Sequence, residues 1–147
     1  MRNILFVCIH NSARSQMAEA FLNRLGEGKF ISESAGIEAG NLNPLVVKAM
    51  AEIGYDLSQN KTKSVFDFHK QGKTYWSVIK VCDQANDERC PIFPGTVNNF
   101  NWNLPDPSTL QGTEEEKMVE IRKIRDQVKL KVEEFIRWQG KAPFYYK

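Results

Sequence analysis

The chain is short of excess charge of either sign, of histidine and of long apolar runs, and each shortage excludes a class of protein. Twenty Lys and Arg against eighteen Asp and Glu leave a formal net charge of only +2 in 147 residues. The two signs are interspersed, so nothing resembles the basic face a nucleic-acid binder needs. The apolar run after Met1-Arg2-Asn3 is far shorter than a signal-peptide core or a membrane span, and it reads as the first strand of a fold. A cytoplasmic address with no membrane partner is the expectation. Two histidines and three cysteines, with no Cys-x2-Cys spacing, make a poor ligand set for zinc, and no metal is expected from them. In a reducing compartment three cysteines are thiols at rest, so a paired function for them points to catalysis before structure. There is no internal repeat, and 41% hydrophobic residues suit one compact domain, 1–147, with a single core.

What is present is concentrated in Val7-Cys8-Ile9-His10-Asn11-Ser12-Ala13-Arg14-Ser15. It follows the apolar Ile4-Leu5-Phe6 and precedes the helical-looking Gln16-Met17-Ala18-Glu19-Ala20-Phe21-Leu22. A strand, a tight loop and a helix start in that order collect unpaired backbone N–H groups at the positive end of a helix dipole, ready for a tetrahedral anion. Cys8 in that loop is a candidate nucleophile: the amides and Arg14 should bring its thiol from about 8.5 into the roughly 3.5–7.5 range of helix-N-terminal thiols. The fork of Arg14 can grip two oxygens of an oxyanion while charge builds on them. A buried cysteine ending a core strand beside a surface arginine is the plainer alternative. It leaves the strand, the Asn-Ser turn and the helix around the loop unexplained.

Along the chain, Met17, Phe21 and Leu25 form the core stripe of a first helix starting near Ala13, with Gly26 as a left-handed cap. Phe30 to Ser34 alternates as a second strand before Ala35-Gly36. Asn43-Pro44 opens a second helix, with Val46, Met50 and Ile53 as its buried stripe and Gly54 as its end. Thr62 to His69 is a weaker helical stretch, with His69 a surface or boundary residue. Trp76 to Cys82 has the density of a strand buried on both sides, and it ends on a cysteine as the first strand does. Thr96 to Phe100 suits a fourth strand. Thr113-Glu-Glu-Glu116 is a capping box for a long helix whose apolar face is Met118, Ile121, Ile124, Val128, Val132 and Phe135, its other charges being solvated surface.

In an open parallel sheet the strands' carboxyl ends share one edge, which gathers Cys8 and Cys82 there. A turn-rich stretch then leads to Cys90, and three such sulfurs suit a thiol relay. Core packing for Cys82 and an incidental loop thiol for Cys90 are the alternatives. Asp106 sits between Pro105 and Pro107, which pin its direction. It is either a solvated turn residue or a proton donor, and the second role calls for a carboxyl raised by partial burial.

Cys8-Ile-His-Asn-Ser-Ala-Arg14-Ser15-Gln-Met-Ala-Glu-Ala resembles the anion loop of the low-molecular-weight tyrosine phosphatase superfamily. Its Asn-Ser-x-Arg-Ser-Gln-Met-Ala-Glu form resembles the thioredoxin-coupled arsenate reductases more than the phosphatases. The likeness extends to Ser34-Ala35-Gly36-Ile37, Asn43-Pro44, Val81-Cys82-Asp83, Cys90-Pro91 and Asp106-Pro107. It implies a four-stranded parallel sheet flanked by helices, an α/β three-layer sandwich. By the same resemblance Cys8 attacks arsenate, Arg14 and the loop Ile9, His10, Asn11, Ser12 and Ala13 hold its oxygens, Ser15 steadies the thiolate, and Asn11 shapes the loop. Asp106 protonates the leaving oxygen. Cys82 then releases arsenite, leaving a Cys8–Cys82 disulfide. Cys90 resolves it, and thioredoxin reduces the resulting Cys82–Cys90 pair.

Phosphate and sulfate are expected to bind as analogues. Ala13 stands where many such reductases carry a further cysteine, and the Cys82-to-Cys90 interval is one residue longer than usual. No cofactor is implied apart from a monovalent cation that some relatives hold. Asn11, Glu19 and Ser34 match three of its ligands, whereas Lys63 or Ser64 falls near the expected acidic fourth.

Two other readings stay open. A low-molecular-weight phosphatase would use the same loop on phosphotyrosine or small phosphoesters, but Ser108-Thr109 stand where those enzymes carry aromatic residues, and a hydrolase needs neither Cys82 nor Cys90. A non-catalytic oxyanion or redox sensor would bind or oxidise once, without turnover.

Overall fold

The computed structural model describes residues 1–81 and 91–138. The opening apolar run forms β1 (Arg2–Cys8), followed by α1 (Arg14–Leu25), β2 (Phe30–Gly36), α2 (Pro44–Ala51) and α3 (Val65–Lys70). Then come β3 (Ser77–Lys80), β4 (Asn98–Asn101), a 3-10 turn at Pro107–Thr109 and α4 (Glu114–Trp138). The four strands pair in parallel in the order β2-β1-β3-β4. The chain leaves β1 for one neighbour and returns to its other side, which puts a topological switch point at the carboxyl end of β1. Cys8 is the last residue of that strand.

Alternation along β1 divides the interior. Ile4, Phe6 and Cys8 face α1, α2 and α4, while Leu5 and Val7 face Val65 and Phe68 of α3 together with Tyr75 and Phe93. The expected helix–sheet–helix layering is thus what forms. Phe135 of α4 stands among Phe30, Phe100 and Trp102, with ring centroids 5.2, 5.8 and 6.4 Å away. This aromatic packing fixes the start of the stretch that leads to Asp106.

Local chemistry explains the element ends. Asn43 caps α2 by accepting from the N–H groups of Leu45 and Val46, and Ser64 caps α3 by accepting from that of Phe66. The box at the head of α4 closes both ways: Glu116 N donates to Thr113 Oγ1 at 3.1 Å and Thr113 N to Glu116 Oε1 at 3.2 Å. All six expected apolar residues of α4 are buried.

Four details differ from the sequence reading. Leu25 is 39% exposed, and Leu22 and Ala18 complete the α1 stripe, because at 100° per residue the last turn has rotated off the core. Gly26 has φ −102°, not a left-handed value; a Cβ there would lie 2.8 Å from Leu22 O, so close packing is what favours glycine. Ile53 lies beyond the end of α2 and is exposed. Arg125, on a helix face read as solvated, is buried: it donates to Ala49 O at 2.9 Å and to Glu52 at 3.2 Å, tying α4 to α2. No helix among the described residues is long and apolar enough to cross a membrane.

Candidate active site

The loop after β1 is stapled from outside by the chain that leaves β2. The carbonyls of Cys8, Ile9, His10 and Ser12 accept from the N–H groups of Ile37, Glu38, Gly40 and Asn43 at 3.1, 2.7, 3.0 and 2.9 Å. Across a trans peptide the C=O of one residue and the N–H of the next point in opposite directions. The amides of Ile9, His10, Asn11 and Ala13 are therefore turned away from the staple. The Asn11 amide donates to Cys8 Sγ at 3.1 Å. Gly36 lies beneath this loop, where a Cβ would come within 2.6 Å of Ile9 O and 2.8 Å of Asn11 N. Only glycine permits that approach.

Cys8 is 3% exposed. Its Sγ lies 2.9 Å from Ser15 Oγ, which itself accepts from Asn11 Nδ2 at 2.8 Å. A thiolate can only accept, so the Ser15 hydroxyl donates to Cys8 once the sulfur ionises. Asn11 takes a left-handed φ of 55°, a conformation asparagine tolerates better than most residues. It is held there through Oδ1, which accepts from Gln16 Nε2 at 3.0 Å and Lys63 N at 2.9 Å. Gln16, fully buried, also donates to Lys61 O at 3.0 Å and accepts from Asn60 Nδ2 at 3.1 Å. Nothing in the spacing of the sequence singled out Gln16 or Gly36 for these tasks.

Arg14 closes the other wall. Nη1 donates to Leu104 O at 2.8 Å and Nη2 lies 3.7 Å from Asp106 Oδ2. Asp106 Oδ1 accepts from Ser108 N at 2.9 Å and Ser108 Oγ at 2.8 Å, while Oδ2 faces Arg14 at the cavity wall. Its ionisation corrects the sequence expectation. Burial alone would push the carboxyl up, but the two bonds from Ser108 and the charges of Arg14 and His10 outweigh it and hold Asp106 below the ordinary aspartate value.

Cys8, Ile9, His10, Ser12, Ala13, Arg14, Asp106 and Ser108 enclose a cavity of about 60 Å³. Pockets for drug-sized ligands run to roughly 300–1,000 Å³, so this one suits a small inorganic anion. Cys82 and Cys90 lie outside the described residues. Val81 N donates to the carbonyl of Val7, the residue before Cys8, at 2.9 Å.

The family model for low molecular weight phosphotyrosine protein phosphatases matches residues 3–142. The chain belongs to that family. Among curated proteins, an arsenate reductase of Bacillus subtilis is 40% identical over 90% of this chain and 93% of its own length. One of Bacillus licheniformis is 38% identical over 91% and 94%. A solved arsenate reductase in an oxidized state superposes with a TM-score of 0.78 at 31% identity, covering 93% of this chain and 98% of that one. A thioredoxin-dependent arsenate reductase of Corynebacterium glutamicum gives a TM-score of 0.59 at 26% identity over 90% and 62% of the two chains. A tyrosine phosphatase of Erwinia amylovora, 18% identical with a TM-score of 0.72 over 93% of each chain, shares the family fold.

The monovalent-cation expectation meets an obstacle in this family member. Glu19 Oε1 accepts from Ser34 Oγ at 2.9 Å and from Lys63 Nζ at 3.0 Å. Asn11 Oδ1 already takes two N–H donors. Asn11 Oδ1 and Glu19 Oε1 thus each take two donors, and one of the donors to Glu19 is itself a cation.

Proposed function

We propose that this chain is a cytoplasmic arsenate reductase that uses Cys8 as nucleophile and Cys82 and Cys90 as a disulfide relay recycled by thioredoxin. The observation that carries the reading is the loop around a buried Cys8: the Asn11 amide and the Ser15 hydroxyl on the sulfur, and Arg14 on the wall of a cavity sized for a tetrahedral oxyanion. The arsenate reductases at up to 40% identity support arsenate as that anion.

Cys8 sulfur attacks As(V), forming an S–As bond as one oxygen leaves. Asp106 gives that oxygen its proton. In the free site Asp106 is held low, but an arriving dianion adds like charge beside it and raises its proton affinity. The carboxyl then takes up a proton from solvent as the dianion enters and passes it to the leaving oxygen, which already carries the substrate's own proton and so departs as water. Arg14 spreads its two-pronged contact over the remaining oxygens as charge accumulates.

Cys82 thiolate next attacks Cys8 sulfur. The S–As bonding pair departs with arsenic, which leaves as arsenite, reduced by two electrons, and the two sulfurs are oxidised to a disulfide. Cys90 attacks Cys82 sulfur and frees the Cys8 thiolate, and thioredoxin dithiol reduces the Cys82–Cys90 bond. The relay roles of Cys82 and Cys90 rest on the sequence resemblance and on the named thioredoxin-dependent relative.

The test is arsenate-dependent oxidation of reduced thioredoxin alongside aryl-phosphate hydrolysis, for the parent and for Cys8→Ser, Cys82→Ser and Cys90→Ser. Cys8→Ser abolishes both activities; Cys82→Ser and Cys90→Ser stop reduction and spare any slow hydrolysis. Continued cycling with thioredoxin in Cys82→Ser would sink the relay. Fast hydrolysis without arsenate reduction in the parent would make the chain a phosphatase.

A further inference from the structure

Lys63 touches three parts of the molecule at once. Its N–H donates to Asn11 Oδ1 at 2.9 Å, its carbonyl accepts from Gly36 N at 2.8 Å, and its ammonium reaches Glu19 Oε1 at 3.0 Å. Anion loop, end of β2 and middle of α1 are thereby joined through one residue. The Glu19 side chain is 16% exposed and Lys63 is 32% exposed, so the carboxylate is largely withdrawn from water while the lysine stem runs to it from the rim. A carboxylate in that position needs a positive partner, or it would weigh against a second anion, or a thiolate, in the neighbouring loop.

We infer that the Lys63 ammonium is the resident cation of the Glu19–Ser34 site, doing from within the chain what a dissociable monovalent ion would do there. It neutralises Glu19, and because its own main chain is bonded to Asn11 and Gly36 it fixes that charge relative to the Cys8 loop. The protein's stability and turnover are then indifferent to potassium and sodium. Exchanging Lys63 for an uncharged residue leaves Glu19 and Ser34 facing a water-accessible gap that a monovalent ion can enter. This goes beyond the assignment of a substrate, and its main readout needs no arsenate, so its failure is distinct from failure of the reductase reading.

The experiment is thermal melting of the parent, Lys63→Met and Lys63→Gln in potassium, sodium and choline chloride at equal ionic strength, with turnover followed in parallel. The parent is expected to melt and turn over alike in all three salts. In choline the variants should melt about 3–10 °C lower. Potassium should restore at least half of that loss along a saturating curve. A saturating rise in the parent's melting temperature with potassium would overturn the inference whether or not the variants fold. So would a folded variant that melts alike in potassium and choline.

Discussion

Arg14 Nη1 donates to the carbonyl of Leu104 at 2.8 Å, across ninety positions of sequence. The bond takes up one face of the guanidinium and points the remainder into the cavity that Cys8 lines. Lysine would keep the charge but could not hold Leu104 and fork an oxyanion together. Arg14→Lys should lower kcat/KM for arsenate by about 100-fold or more, measured by thioredoxin-coupled turnover. A loss under about threefold would mean that only the charge matters.

Asp106 gives a pH signature. Its folded-state value lies below the 3.8 of a free aspartate, so its ionised form stabilises the fold above that pH, and the contribution is lost as pH falls through the folded value. Asp106→Asn keeps an acceptor for Ser108 and removes the charge. The variant should be less stable at pH 7 by no more than about 1 kcal/mol, since the side chain is 35% exposed. The gap to the parent should close as pH drops below 3.8, as followed by urea denaturation across pH. Turnover should fall by about 100-fold at neutral pH, because asparagine cannot supply the proton.

Gln16 separates positioning from chemistry. It does not line the cavity; its side-chain hydrogen bonds go to Asn11, Lys61 and Asn60. Gln16→Leu strips the partners from buried groups and should destabilise the protein by about 2–4 kcal/mol. Released from Gln16, Asn11 should let Ser15 drift from the sulfur. Alkylation of Cys8 by iodoacetamide should then show a different pH profile from the parent, an effect that simple loss of stability would not produce.

Gly36→Ala tests how tightly the loop is seated. The added methyl would lie 2.6 Å from Ile9 O, so the loop must lift. A displacement of about 1 Å at a reacting group costs on the order of 100-fold in rate. Turnover should drop by that order while the melting temperature falls far less in proportion. Unchanged kinetics would show that the loop can tilt without penalty.

What could be read from the sequence is what side-chain pattern records. Thr113 with Glu116, Asn43 with Pro44, and the stripe from Met118 to Phe135 each announce an element through residue type and spacing, and each is present. Cys8, Arg14 and Ser15 stand together because they occupy one loop and one helix turn. The staple of residues 37–43 onto residues 8–12 is made of backbone atoms, which leave no compositional trace. Arg125 was hidden for a related reason: a charged residue looks the same in sequence whether it meets water or a helix's terminal carbonyl. The direction for Asp106 depended on Ser108, two residues on, folding back to it, which a rule based on burial alone overlooks.

The hydrogen bonds that Ile37, Glu38, Gly40 and Asn43 give the loop have a kinetic meaning. They are made within the chain's own backbone, so the ordering entropy of the cradle is met as the chain folds. Each encounter then asks only for desolvation of the oxyanion. An oxyanion entering such a cradle has no need to order residues 8–12 around itself, which removes that step from capture and its entropy from the cost of binding.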